Sequence, residues 1–296
     1  MTEYYRKKCP YCEGEGNHYF EFCSTSYYKC SSCDLIYKNS NKSYREIVLK
    51  YRDDYYDNFG ASEIDGERDR LYKELLKFIE QKVQTGKILD VGTGCGFFLQ
   101  YARERGWNVK GIDPSPKSVN IAKNSNNLDV KLGTLEEFRS SEKFDIITFI
   151  NALDHSAQPW HEVQLARTLL KPEGFIFIRS PNGFLHSHIL RISSKFGFEN
   201  RISSLLVFHE FSFTLKYIKR LLHDCGFSKV IVQNSPPSKG FSDEFSMITL
   251  PNLLFRRLIY FMSGVFRTLS LGHLLLSPSL WVVASQNKSP EMVFSR

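Results

Sequence analysis

The run Lys87-Ile88-Leu89-Asp90-Val91-Gly92-Thr93-Gly94-Cys95-Gly96-Phe97-Phe98 constrains this chain more than any other stretch. An apolar strand runs into Asp90, then into three glycines at alternate positions, then into a helical pattern. Glycine lets the backbone turn sharply there and lets a ligand approach with no Cβ in the way. The acid argues against a dinucleotide, whose pyrophosphate would sit on this turn and be repelled by a carboxylate beside it. The spacing argues the same way, because G-x-G-x-x-G needs a glycine at 97 and the chain has Phe97. An uncharged or cationic adenosine ligand suits the turn better.

An alternating α/β order continues downstream. Phe98 to Arg105 reads as helix, and Trp107 to Asp113 as a second strand ending in an acid. Asp113 lies 23 residues beyond Asp90, where a carboxylate can accept both ribose hydroxyls of an adenosine. Pro114-Ser115-Pro116 opens a helix. Asp129–Phe138 reads as a third strand and turn, and Phe144–Ile150 as a buried fourth strand. The loop Asn151 to Pro159 falls at the carboxyl end of that strand, where such sheets bind ligands. A helix through Leu170, a turn at Lys171-Pro172-Glu173-Gly174 and a fifth strand at Phe175–Arg179 follow. Residues 183–210 read as irregular, with His186 and His188 at the surface. A helix over Phe213–Cys225 and strands at Lys229–Gln233 and Leu280–Ala284 complete the pattern.

The acid-glycine turn, with these elements in register, resembles motif I of the class I S-adenosylmethionine-dependent methyltransferases. Leu153-Asp154-His155 with Pro159, and Ser180-Pro181-Asn182, resemble the type 11/23 branch, although Asp154 stands where that branch carries a glutamate. The resemblance covers about residues 70–288. It implies an α/β, Rossmann-like seven-stranded sheet with strand seven antiparallel. It also implies S-adenosylmethionine as cofactor, with Asp90, Gly92, Gly94, Gly96 and Asn151 at its amino-acid end. Asp113 would hold the ribose, and Thr134 and Leu135 would flank the adenine. An acceptor hydroxyl must lose a proton, and His155 and His209 are the candidate bases. The loop at 151–154 lacks the Asn/Asp-Pro-Pro-Tyr/Phe of enzymes that methylate exocyclic base amines.

Seven cysteines are present, five of them in the first 33 residues. Cys9-Pro10-Tyr11-Cys12 and Cys30-Ser31-Ser32-Cys33 are two C-x-x-C knuckles 17 residues apart. Four thiolates so spaced suit a tetrahedral, structural zinc, and a module of ~35 residues has too little core to fold without one. Cys9, Cys12, Cys30 and Cys33 are the expected ligands of a small N-terminal zinc ribbon, and Cys23 stands outside the set. The ribbon mixes lysines with glutamates, which is not the basic stripe of a nucleic-acid reader.

The expected organisation is a ribbon at 1–40, a helical linker or lid at 41–82 with Tyr55 and Tyr56, and a methyltransferase domain at 83–290. An insertion at 235–278 contains an amphipathic stretch, 253–276, suited to packing on the core or on a second subunit, to contact with a membrane surface or a lipid-linked substrate, or to an aliphatic wall over a substrate pocket. The net charge is +7, no apolar run is long enough to span a membrane, and the first residues do not read as a signal peptide. These features suit a cytoplasmic protein, with contact at the inner membrane face left open. The acceptor reading is a small molecule or saccharide methylated on oxygen, as in surface-polysaccharide or sugar-nucleotide synthesis. The alternatives are a ribosomal or transfer RNA base methyltransferase and a non-catalytic binding protein on the same fold.

Overall fold

The computed structural model describes residues 8–40, 42–53, 68–236 and 275–286. Tyr55, Tyr56 and all but the last two residues of the amphipathic stretch at 253–276 lie outside them. The chain opens with an antiparallel unit of β1 (Gly16–Phe22), β2 (Thr25–Cys30) and β3 (Ile36–Lys38). Helices α1 (Tyr44–Asp53) and α2 (Asp69–Glu80) follow. In α2, Leu71, Leu75, Leu76 and Ile79 recur at helical spacing and are all buried, so one face of the helix joins the core.

An alternation of strand and helix then builds the main sheet. Its elements are β4 (Lys87–Val91), α3 (Phe97–Glu104), β5 (Asn108–Asp113), α4 (Pro116–Asn124), β6 (Val130–Leu132) and β7 (Phe144–Ile150). They continue through α5 (Pro159–Leu169), β8 (Leu170–Pro181), α6 (Gly183–Lys195), the short β9 (Phe211–Ser212), α7 (Leu215–Asp224), β10 (Lys229–Asn234) and β11 (Ser279–Ser285). Seven strands lie in the order β10-β11-β8-β7-β4-β5-β6. β11 runs antiparallel to both neighbours, and the other pairings are parallel. The seven-stranded sheet with its last strand reversed is thus as expected.

Caps set where the helices begin. The Ser115 hydroxyl accepts from the Ser118 amide, with Pro116 in the first turn of α4. Thr214 accepts from the Tyr217 amide at the start of α7.

The N-terminal sheet does not stand apart. β3 pairs with β9, Ile36 against Ser212 and Tyr37 against Phe211, so the main domain donates a fourth strand to it. Cys9, Cys30, Cys33, Leu35 and Tyr37 share one buried cluster with Phe213, Tyr217 and Ile218. Phe20, Tyr27 and Ile36 pack separately with Leu190 and Leu206. The thiol unit is therefore wedged between α7 and α6.

Three local expectations are corrected. Residues 183–195 form α6, capped by Asn182 Oδ1 on the Leu185 amide at 3.2 Å, instead of irregular chain. His186 on this helix is buried, 4% exposed, with a ring nitrogen 2.9 Å from the Pro278 carbonyl and its ring edge-on to Phe208. Finally, Lys171–Gly174 lies within β8 (Leu170–Pro181) as a bulge and does not form a turn between separate elements: the pairing with β7 jumps from Phe144 opposite Leu170 to Ile146 opposite Phe175. Gly174 lets it pass there: a Cβ would stand 2.9 Å from the Asp145 carbonyl.

Candidate functional site

The carboxyl ends of β4, β5 and β7 open onto a cavity of about 710 Å³, part of it continuous with solvent. Gly92, Asp113, Thr134, Leu135, Asn151 and His155 line it, and Ile47, Val48 and Tyr51 of α1 lie across it. Gly92 has a φ of +73°, and a Cβ on it would sit 2.5 Å from that of Ala152. Any side chain there would be strained and would push into the loop after β7.

The remaining residues of the turn build it from behind. Gly94 and Gly96 are buried, and the Gly94 amide donates to Asp113 Oδ2 at 2.8 Å. The other oxygen of Asp113 accepts from the Ser115 amide at 2.8 Å. Asp113 thus ties the glycine turn to the end of β5 while one edge faces the cavity. Asp90 is 2% exposed and accepts from the Thr148 hydroxyl at 2.6 Å, which locks β4 to β7. It supports the turn from inside and does not line the open cavity. Asn151 has a φ of +54°, a left-handed conformation costly for most side chains and tolerated by asparagine. Its Oδ1 accepts from the buried Arg179 guanidinium, which also donates to the Ser235 hydroxyl at 3.0 Å.

His155 and His209 meet. Their ring centroids are 3.8 Å apart. His155 Nδ1 lies 2.7 Å from the Tyr51 hydroxyl, and His209 Nε2 lies 3.6 Å from Asp154 Oδ2. Asp154 is 1% exposed, and neither carboxylate oxygen has a hydrogen-bond partner among the described residues. Burial pushes its pKa up to about 7, against a smaller opposing pull from Arg179. Burial also holds His155 well below the usual imidazole value and pushes His209 down to about 3, in each case helped by nearby cationic groups. Both imidazoles are thereby held neutral near pH 7, while Asp154 still ionises in that range. A neutral imidazole can accept a proton or a metal ion.

The four knuckle cysteines also converge. Cys9 Sγ is 3.6 Å from Cys33 Sγ, and Cys12 Sγ is 3.5 Å from Cys30 Sγ. All four sulfurs lie within 4.8 Å of one another. A disulfide would need about 2.05 Å. A zinc ion with bonds of about 2.3 Å would hold four thiolates roughly 3.8 Å apart, so the donor set and spacing fit that ion. Cys23 is exposed on the β1–β2 turn, away from this group. The cluster is tied to the histidines through the backbone. Lys38 at the end of β3 donates its amide to the Glu210 carbonyl at 3.0 Å, next to His209.

Sequence reasoning passed over Tyr51, Glu162 and Arg179, and read Asp154 only as a departure from a pattern. Glu162 lines the cavity and accepts from the Ser156 hydroxyl at 2.9 Å; burial pushes its pKa up to about 7. The sequence signal for it was faint: a lone acid at the start of a helix usually faces water.

Comparison with known proteins supports the same architecture. A family model described as a methyltransferase domain matches residues 64–232. The chain is 32% identical over 131 residues to a ubiquinone biosynthesis O-methyltransferase of Actinobacillus pleuropneumoniae serotype 7, covering 40% of this chain and 56% of that protein. It thus spans little more than half the length of that curated relative. In fold it is similar to a chain of the Haloferax volcanii complex between the Trm112 methyltransferase activator and a methyltransferase. That match has a TM-score of 0.56 and 17% identity, and covers 81% of this chain and 99% of the other. The plantazolicin methyltransferase BpumL, solved in complex with SAH, has a TM-score of 0.51 at 15% identity, covering 82% of this chain and 95% of its own.

Proposed function

The chain belongs to the class I S-adenosylmethionine-dependent methyltransferases, and from that premise we propose that it methylates a hydroxyl group of a small molecule. The observation that carries this reading is the position of His155. It lines the cofactor cavity on one side and meets Asp154 and His209 on the other. Such a junction is where a methyl donor and an acceptor hydroxyl must face each other.

S-adenosylmethionine supplies a methyl group activated by its sulfonium. The protein's task is to hold donor and acceptor in line and to remove one proton. Asp113 would take the ribose hydroxyls with the cavity-facing edge of its carboxylate. Thr134 and Leu135 would flank the adenine. Gly92 and Asn151 would face the amino-acid end of the cofactor, over a turn kept rigid by Asp90, Gly94 and Gly96. His155, which lines the cavity, would take the one proton the acceptor hydroxyl gives up as the new carbon–oxygen bond forms and the carbon–sulfur bond breaks, with His209 packed beside it. α1 would exclude water from above.

The acceptor would enter through a second, wider cleft that shares Ile47 and Ala157 with the first. It is lined by Lys38, Tyr44, Trp160 and Glu210, among others. O-methylation is supported by the name of the partly matching relative, and phenolic and sugar hydroxyls both suit this chemistry. An RNA acceptor fits less well, because buried residues of the N-terminal sheet pack on α6 and on α7. The four cysteines would hold zinc as a structural ion. Among the described residues no helix is long and apolar enough to cross a membrane.

The test is turnover of methyl-labelled S-adenosylmethionine with phenolic and sugar-nucleotide acceptors, alongside calorimetry of cofactor binding. His155→Ala should lose turnover and keep cofactor affinity. No cofactor binding by the parent chain would sink the proposal.

A further inference from the structure

We infer that Asp154, His155 and His209 form a binding site for a borderline divalent cation such as Mn²⁺, Fe²⁺ or Co²⁺, at the acceptor end of the cavity. The inference rests on the methyltransferase reading for its purpose, and on the cluster's geometry for its existence.

Three observations support it. One ligand atom from each residue lies within 4.8 Å of the other two, although Asp154 and His155 sit on one turn and His209 on a distant segment. Asp154 is buried, neither oxygen is hydrogen-bonded among the described residues, and one of them is 3.6 Å from His209 Nε2. An unpaired buried polar group costs on the order of 1–3 kcal/mol, so native proteins seldom keep one without a purpose. A cation between the three residues would bond that oxygen and both imidazoles together. Finally, Tyr51 holds His155 Nδ1 at 2.7 Å, as an outer hydrogen-bond partner fixes the ring of a metal-bound histidine.

The donor set selects the ion. Two imidazoles and one carboxylate with open positions suit borderline first-row ions, whereas Mg²⁺ prefers all-oxygen sites. The open positions would face the acceptor, whose hydroxyl would bind the cation as an oxygen ligand and give up its proton to the Glu162 carboxylate, which also lines the cavity, or to solvent, since the cation occupies both imidazoles. The site is distinct in chemistry from the four-thiolate cluster, which would keep its zinc in the presence of Mn²⁺ because thiolates favour the softer ion.

The test is titration of the zinc-loaded full chain with Mn²⁺, followed by the paramagnetic resonance signal of free Mn²⁺. One Mn²⁺ per chain should bind, and Asp154→Asn and His209→Gln should each weaken binding at least about tenfold. Each variant's zinc content and cofactor affinity report whether it is folded. Should Asp154→Asn fail to fold, the half-buried His209→Gln still carries the test. If the parent binds no more Mn²⁺ than an Asp154→Asn/His209→Gln double variant, the cation site is wrong and the imidazoles are free to take the hydroxyl proton themselves. If Mn²⁺ binds as expected but S-adenosylmethionine does not, the site stands and the methyltransferase reading falls.

Discussion

The cofactor side and the acceptor side of this protein are built in opposite ways. The cofactor side is local: Asp90 to Gly96 form one turn, and Asp113, at the end of the next strand, ties it down by accepting from the Gly94 amide while its other oxygen accepts from the Ser115 amide. The acceptor side is assembled from a distance. Asp154 and His155 come from the turn after β7, Tyr51 from α1, and His209 from a segment adjoining β9, which pairs with the N-terminal thiol unit. A ligand turn made of contiguous residues is set by backbone geometry. A cluster made of separate segments is only as well placed as the packing that joins them.

The sharpest way to break this comparison is to dismantle the thiol unit. In Cys9→Ser/Cys33→Ser, β3 should no longer hold the 209–212 segment. Turnover should fall at least about a thousandfold while cofactor affinity stays within about threefold, since structural zinc sites carry on the order of 10 kcal/mol of local folding energy. Calorimetry beside a methyl-transfer assay reads both. Equal loss of the two would mean that the halves are one unit. The converse experiment is Asp113→Ala. It removes a charged acceptor from the ribose and frees the glycine turn, so cofactor affinity should drop about a hundredfold with the zinc content unchanged.

Glu162 sharpens the comparison through pH. Its pKa is raised from 4.5 to about 7, mainly by burial, so the folded chain holds this proton more tightly than the unfolded chain does. Its contribution to stability is therefore greatest in acid and falls as pH rises through about 4.5 to 7. The loss is about 2 kcal/mol once the open cavity is allowed for. Glu162→Gln should be more stable than the parent by about that amount at pH 8 and equal to it at pH 4, as read by urea unfolding. A difference independent of pH would show that the carboxyl is not desolvated.

The smallest effect is expected at Tyr217, under the thiol unit. Its ring is fully buried and its hydroxyl has no hydrogen-bond partner among the described residues. Tyr217→Phe should stabilise the chain by up to about 1 kcal/mol, seen as a higher denaturant midpoint at unchanged slope. A loss of stability would point to a partner for the hydroxyl.

Most of the main sheet could be read from the chain because its strands are continuous apolar runs and its turns carry glycine, proline or an acid at telling places. The misreadings share one cause. Gly183-Phe184-Leu185-His186-Ser187-His188-Ile189-Leu190 mixes weak helix formers, so local propensity argued for irregular chain. The Asn182 cap and burial of Leu190 against the N-terminal sheet outweigh that propensity. His186, expected at the surface, is buried beside the Pro278 carbonyl and the Phe208 ring. In β8, Pro172 and Gly174 looked like a turn, but the glycine serves close passage beside β7.

By itself, the amino-acid sequence determined the doubly wound architecture, the adenosine-type turn and the four-thiolate cluster. Each depends on residue types at short, fixed spacings, and short spacings become fixed geometry through backbone sterics alone. Only the tertiary structure decided that Asp154, His155, His209 and Tyr51 meet, that Arg179 lies under Asn151, and that the thiol unit shares its core with the main domain. Those contacts join residues tens to hundreds of positions apart. They are set by which apolar faces bury one another, and no local pattern records that choice.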